Sequence, residues 1–174
     1  MLTRRNILLT AAALTAGLPA TAHAVQTGAR GLKFYNLHTG ESLDAEYWRN
    51  GAYDSDALIA INHLLRDHRT SEAHQMDVRL LDLLHDLSLS LETRAPLLVI
   101  SGYRSPATNA ALAAASSGVA RHSLHMDGMA IDIAVEGIAT ETIQQAALEL
   151  GRGGVGYYPS PGFVHVDVGR VRRW

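Results

Sequence analysis

The sequence predicts an α+β domain: a small, largely antiparallel sheet with helices packed on one side. Short β-prone runs form hairpin patterns near the start and the end of the chain, and amphipathic helical periods lie between them. Hydrophobic residues make up 47% of the chain and charged residues 18%, which is typical of a globular protein. Together these observations favour one folded unit with both element types.

The first half of the chain begins with a predicted hairpin and continues into two helices. Lys33–Leu37 and Ser42–Trp48 are β-prone runs joined by a turn. Asp54 precedes apolar residues at helical spacing and is expected to cap a helix that ends near Arg69. A second helix carries the apolar series from Met76 to Leu87.

The middle of the chain alternates strands with helices. Leu97–Ile100 is a continuous apolar run and predicts a buried strand. Pro106 suits the first turn of a helix that continues to about Ser116. Met129–Val135 predicts another strand, and Thr140 is expected to cap a helix that the glycines after Leu150 end.

The last predicted hairpin is formed by Val155–Tyr158 and Phe163–Val168. Before it lies the glycine pattern of residues 151–156, which superficially matches a phosphate-binding loop. The pattern follows a helix and precedes a strand, the reverse of the order that a dinucleotide site requires. We therefore interpret these glycines as turn and strand residues and expect no nucleotide.

An export signal is predicted at residues 1–24. Arg4 and Arg5 precede an alanine-rich apolar stretch, and small residues favour cleavage after Ala24. The paired arginines indicate the twin-arginine route, which would place the protein in the periplasm. A general secretory signal and an uncleaved anchor are the alternatives, although the apolar run is too short for a convincing membrane span.

The remainder, residues 25–174, is expected to be a single domain. Without the leader it holds 13 basic and 17 acidic residues, a formal charge of −4, so nucleic acid is not an expected partner. The sequence contains no cysteine, which excludes disulfides, thiolate metal sites and a lipidated cysteine. After cleavage of the signal we expect no stable membrane span.

Two histidines and an aspartate predict a metal centre. His125 and Asp132 flank a glycine turn that leads into a strand, and His165 comes from a separate β-run. Imidazole nitrogens and a carboxylate oxygen suit Zn²⁺, and three protein ligands with an open fourth position are typical of catalytic zinc. We therefore predict one zinc ion per chain. Taken singly, each residue is better explained by packing or by a turn, and the metal interpretation depends on the three together with the sequence around them.

Four motifs carry a resemblance to a known family. They are Ser101-Gly-Tyr-Arg-Ser105, His125-x-x-Gly-x-Ala-x-Asp132, Gly153-Gly-Val-Gly-Tyr-Tyr-Pro159 and Phe163-Val-His-Val-Asp167. With these motifs the chain resembles the zinc D-Ala-D-Ala peptidases, which share a fold with lysostaphin-type enzymes and the hedgehog signalling domain. The resemblance extends over nearly the whole mature chain.

The resemblance implies a zinc endopeptidase that hydrolyses peptide cross-links of bacterial peptidoglycan. The bond it implies is the L,D-type 3-3 link between two diaminopimelate residues. A D-Ala-D-Ala carboxypeptidase or a D,D-endopeptidase on the same scaffold is the alternative enzyme. A zinc-stabilised wall-binding module without activity is the alternative from another class.

Four further residues are candidates for the site. Asp167 shares a strand face with His165 and is the first choice as general base, with an orienting role as its alternative; His122 is the second choice. The family's usual acidic residue or histidine before the last ligand is absent here. The resemblance assigns substrate binding to Arg104, whose alternative is a salt bridge. Tyr103 is a further candidate to line the substrate cleft.

Overall fold

The computed structural model describes residues 28–116 and 118–174. The predicted export signal lies outside these residues. The elements, in chain order, are the strands and helices β1 (Ala29–Asn36), β2 (Ser42–Arg49), β3 (Ala52–Tyr53), α1 (Ser55–Leu64), α2 (Val78–Ser90), β4 (Leu97–Ser101), α3 (Pro106–Ala115), a short 3₁₀ helix (Leu124–Asp127), β5 (Ala130–Val135), α4 (Thr140–Leu150), β6 (Gly154–Tyr158), β7 (Phe163–Asp167) and β8 (Arg172–Arg173).

The strands form one mixed sheet in the order β3-β2-β1-β4-β5-β7-β6-β8. The pairings β1 with β4 and β6 with β8 are parallel, and the other five are antiparallel. With four α-helices in the same described residues, the predicted α+β class is confirmed. The sheet has more strands than predicted, because the two-residue strands β3 and β8 are added at its two edges.

Helices α1, α2 and α4 pack on the sheet and close the hydrophobic core. Along β1 the burial alternates: Leu32 and Phe34 are buried, whereas Lys33 and Tyr35 are exposed. This alternation follows from the two-residue period of a strand and shows which face the helices cover. In the described part of the chain, no helix is both long enough and apolar enough to cross a membrane.

Two predicted helix boundaries were wrong. Helix α1 ends at Leu64 rather than near Arg69, because the chain turns at Asp67, whose N–H donates to the Glu72 carbonyl. Thr140 does not cap α4. The capping position is Ala139, which makes no side-chain capping bond, and Thr140 is the first helical residue.

The site lies where β5 and β7 pair. Asp132 of β5 is directly opposite His165 of β7, and His165 is opposite Gly156 of β6. Cross-strand partners project from the same face of a sheet. The flanking apolar residues of these strands, such as Ile131 and Val166, point to the opposite face and join the core.

Candidate metal centre

Three acceptor atoms converge at the junction of β5, β7 and the 3₁₀ helix. His165 Nδ1 lies 2.9 Å from Asp132 Oδ1 and 3.2 Å from His125 Nε2, and His125 Nε2 lies 3.3 Å from Asp132 Oδ1. All three residues are buried, with 1 to 8% of their surface exposed. In the described part of the chain they form the single cluster that could hold a metal ion.

The local chain geometry brings His125 to this point. The Ser123 hydroxyl accepts the His125 N–H and caps the 3₁₀ helix, and Gly128 ends that helix in the left-handed conformation (φ 66°). A Cβ at Gly128 would lie 2.4 Å from the Gln75 carbonyl oxygen. Glycine is therefore required there on both conformational and steric grounds.

The partners of the two imidazoles fix which nitrogen is free. His125 Nδ1 lies 2.7 Å from the Gly102 carbonyl, and His165 Nε2 lies 3.0 Å from Asp167 Oδ2. Both partners are acceptors, so these nitrogens carry the protons of the neutral rings. The other nitrogens then present lone pairs to each other and to Asp132. Three acceptors that face one another can all be satisfied by one cation, and this arrangement is typical of the ligands of a metal site.

The electrostatics of the centre reflect deep burial and close pairing. Burial alone would raise the pKa of Asp132, but the two histidines hold it well below its usual range. Burial lowers the pKa of His125. For His165, burial is outweighed by the hydrogen bonds with Asp132 and Asp167, so its pKa is raised.

Arg104 lies beside the centre and is bound to it. Its Nε donates to the Ser101 hydroxyl at 2.8 Å, and an Nη group donates to Asp132 Oδ2. Thus the two oxygens of Asp132 face different partners, one the arginine and the other the two histidines. Arg104 also lines the cavity above the centre, so the salt bridge and a substrate contact are compatible.

Asp167 binds the side of His165 that is remote from the other two acceptors. It is fully buried, and its carboxylate also accepts N–H bonds from Gly154 and Gly169 and two from Arg172. These bonds outweigh the effect of burial and lower its pKa. Asp167 does not line the cavity.

The remaining two candidates lie in different places. His122 lines the cavity, its side chain is 76% exposed, and its Nε2 lies 3.3 Å from Asp127. Tyr103 does not line the cavity. It is buried and stacks on His74 with ring centroids 4.7 Å apart, which does not support the predicted substrate contact.

The cavity over the centre has a volume of about 400 Å³ and contains residues that the sequence did not single out. Trp174 lines it after β8, and its ring centroid lies 5.1 Å from that of His165. Asn109 does not line the cavity, but it holds the loop that contains the cavity residue Ala120, since its Nδ2 donates to the carbonyls of Ala120 and Arg121. The sequence signal for the position of Trp174 was Gly156 in the glycine pattern. A Cβ at Gly156 would lie 2.7 Å from the Trp174 ring, so a glycine is needed there to leave room for the indole.

Comparison with known proteins gives one consistent result. The family model described as peptidoglycan L,D-endopeptidase MepK matches residues 24–174. The chain is 47% identical to "Peptidoglycan L,D-endopeptidase MepK" of Escherichia coli strain K12 over 143 residues, which is 82% of this chain and 79% of that protein. It is 40% identical to "Probable peptidoglycan L,D-endopeptidase MepK" of Haemophilus influenzae, covering 82% of this chain and 77% of that protein.

Proposed function

This chain belongs to the family of peptidoglycan L,D-endopeptidase MepK, and from that premise we propose that it is an exported, zinc-dependent endopeptidase of the bacterial cell wall. Its substrate is the peptide cross-link, and its bond is the L,D-type link between two diaminopimelate residues. One observation carries the proposal most directly: the acceptor atoms of His125, Asp132 and His165 converge at a cavity with both imidazole protons directed away from one another.

The spacing of these atoms supports zinc. Ligand atoms placed tetrahedrally at about 2.0 to 2.1 Å from Zn²⁺ are about 3.3 Å apart. The three distances here are 2.9, 3.2 and 3.3 Å. A zinc ion held by these residues would polarise the scissile carbonyl and lower the pKa of a bound water.

The surrounding side chains fix and complete this centre. The Gly102 carbonyl and the Asp167 carboxylate hold the two imidazoles in the tautomers that leave lone pairs for a metal. Arg104, anchored to Ser101 and Asp132, also lines the cavity. We assign it the role of binding a carboxylate or the carbonyl oxygen of the substrate, where negative charge develops.

We assign the proton transfer to His122 and the orienting role to Asp167, which reverses the order favoured by the sequence. Asp167 contacts the far side of His165 and is enclosed by donors, so a substrate in the cavity has no path to it. His122 lies on the cavity wall with an exposed imidazole, on the loop that Asn109 anchors. An imidazole at this place can act as general base and general acid towards a substrate in the cavity.

The test is digestion of purified cross-linked muropeptides, followed by identification of the products by mass spectrometry. We expect conversion of the dimer linked through two diaminopimelate residues into its monomers. Cleavage of the D,D-linked dimer, or release of a terminal D-alanine, would instead indicate one of the alternative enzymes. Bound zinc with no product from any substrate would indicate a binding module. The His125→Ala variant is the control for contaminating hydrolases.

Export to the periplasm follows from the leader, and we propose the twin-arginine route for it. Replacing Arg4 and Arg5 with lysine keeps the charge but removes the motif. The precursor should then accumulate inside the cell, as measured by fractionation and immunoblotting. Normal export of the double variant would point to the general secretory route.

A further inference from the structure

A tryptophan is exposed inside the cavity, next to the metal centre. Trp174 is 49% exposed, although large aromatic side chains usually bury most of their surface. Of the large apolar side chains that are exposed in the described part of the chain, Trp174 alone lines this cavity. Because its ring lies beside that of His165, a substrate that reaches the centre from this side meets the indole.

The indole is also held in a defined position. The backbone of Trp174 pairs with β6 in both directions, through its N–H to the Val155 carbonyl and its carbonyl to the Tyr157 N–H. Its Nε1 donates to the Tyr158 hydroxyl at 2.8 Å. Below it lies Gly156, where any side chain would collide with the ring. An exposed aromatic fixed this firmly is preorganised to bind a ligand.

We propose that Trp174 is a specificity-determining residue whose indole packs against the methylene chain of the diaminopimelate residue that supplies the scissile carbonyl. This inference rests on the proposed function. In a D,D-type cross-link the corresponding residue is D-alanine, which offers a single methyl group. The indole therefore distinguishes the two cross-links by the apolar area that each can bury.

The charges around the indole fit the same substrate. Arg104 and Arg172 line the cavity, and the Arg172 guanidinium lies 4.9 Å from the centre of the Trp174 ring. A diaminopimelate side chain combines an apolar chain with an amino-acid centre at its end, which carries a carboxylate and an amine. The Trp174 ring matches the apolar part, and the two arginines that line the cavity supply positive charge for the carboxylate, although Arg172 also binds Asp167.

The first test compares Trp174→Ala with Trp174→Phe on the two purified muropeptide dimers. For the dimer linked through two diaminopimelate residues, Trp174→Ala should raise KM roughly tenfold with little change in kcat, whereas Trp174→Phe should raise it less than about threefold. Bound zinc should stay at the parent level in both variants. An unchanged KM in Trp174→Ala, or a loss of zinc in parallel with activity, would overturn the inference.

Gly156 provides a second route to the same contact. Gly156→Ala should displace the indole and raise KM in the parent background, but it should add little to Trp174→Ala, because the ring it displaces is already absent. Additive effects of the two substitutions would show that Gly156 acts through something other than Trp174. That result would contradict the inference.

Fluorescence separates this inference from the proposed function. The sequence contains two tryptophans, so Trp48→Phe leaves Trp174 as the single reporter. On rapid mixing of the zinc-loaded variant with the diaminopimelate-linked dimer, Trp174 emission should change before turnover and saturate near KM. Cleavage of the dimer without any emission change would overturn the contact while the enzyme assignment stands. Failure of the parent protein both to bind and to cleave the dimer would reject the proposed function itself.

Discussion

Two aspartates, Asp67 and Asp132, are equally buried but differ in what surrounds them. Asp67 is 2% exposed and Asp132 is 3% exposed. The carboxylate of Asp67 meets only donors: the N–H of Arg69, the N–H and hydroxyl of Ser105, and the side chain of Thr108. On Asp132, one oxygen accepts from Arg104, while the other faces the lone-pair sides of two imidazoles.

The difference separates a structural network from a candidate metal site. The Asp67 network is satisfied by the protein alone and joins the turn after α1 to the start of α3, 38 residues later. In the Asp132 cluster, three acceptor atoms instead face one another, and a cation held between them would satisfy all three. Both aspartates have lowered pKa values, so the pKa does not distinguish them. The two aspartates are distinguished by their partners, which are donors around Asp67 and imidazole acceptors beside Asp132.

The largest expected effect comes from removing an acceptor of the Asp132 cluster. His125→Ala should reduce bound metal to a small fraction and turnover by at least roughly a thousandfold, because polarisation by a metal ion is worth several kcal/mol. Metal content by mass spectrometry and cleavage of the diaminopimelate-linked dimer measure the two effects.

Asp67→Asn is the matched comparison for that variant. It alters a carboxylate that is just as buried, but it should leave the metal content of the folded protein unchanged. If His125→Ala kept a full metal complement, the ligand assignment would be wrong. Metal loss in Asp67→Asn at a temperature where the variant is folded would remove the contrast between the two clusters.

A smaller effect is expected from the carboxylate that orients His165. Asp167→Asn should weaken metal affinity roughly 10- to 100-fold, because it no longer fixes the imidazole tautomer. His122→Ala should show the opposite pattern, with full metal affinity and turnover reduced roughly a hundredfold. Competition with a chelator and steady-state kinetics separate the two patterns.

Asp86→Asn is the control for Asp167→Asn, since Asp86 forms an exposed pair with Arg152. It should change neither metal affinity nor turnover. If Asp167→Asn kept its metal affinity and lost turnover, then Asp167 would be the proton carrier and the role assigned to His122 would be wrong.

Local sequence patterns predicted most of the fold. The alternation in β1 and β2, the apolar run of β4 and the helical spacing in α2 each place an element to within a few residues. The end of α1 was missed because the chain is turned there by Asp67, whose partner Ser105 is distant in sequence. No local pattern reports such a contact.

The candidate site shows the same limit. The motifs around His125, Asp132 and His165 indicated a shared centre, and the structure brings their acceptor atoms together. Asp167 contacts His165 Nε2 and is bound by Arg172, and the two-residue period of a strand predicts neither of these contacts. Trp174 reaches the cavity through pairing of β8 with β6, a parallel contact between short strands that propensity does not reveal.

The smallest expected effect lies in the satisfied network and is measured as stability. Asp67→Asn places an N–H₂ group or a weaker acceptor opposite the donors of Arg69 and Ser105, which should cost about 1 to 3 kcal/mol of unfolding free energy. Urea unfolding at neutral pH measures this loss. Asp44→Asn is the control, because Asp44 is exposed and paired only with Lys33; it should stay within about 0.5 kcal/mol of the parent.

The pH dependence of that loss tests its cause. Burial would raise the pKa of Asp67, but hydrogen bonds from Thr108, Arg69 and Ser105 hold it well below its usual range. A carboxyl whose pKa is lower in the folded state stabilises the protein fully above its unfolded pKa of about 3.9, and this contribution is lost as the pH falls below that value. The difference between the parent and Asp67→Asn should therefore be constant from about pH 7 to about pH 5 and should shrink towards about pH 3. A difference that persists undiminished at the lowest pH would mean that the substitution acts through packing rather than through the charge of Asp67.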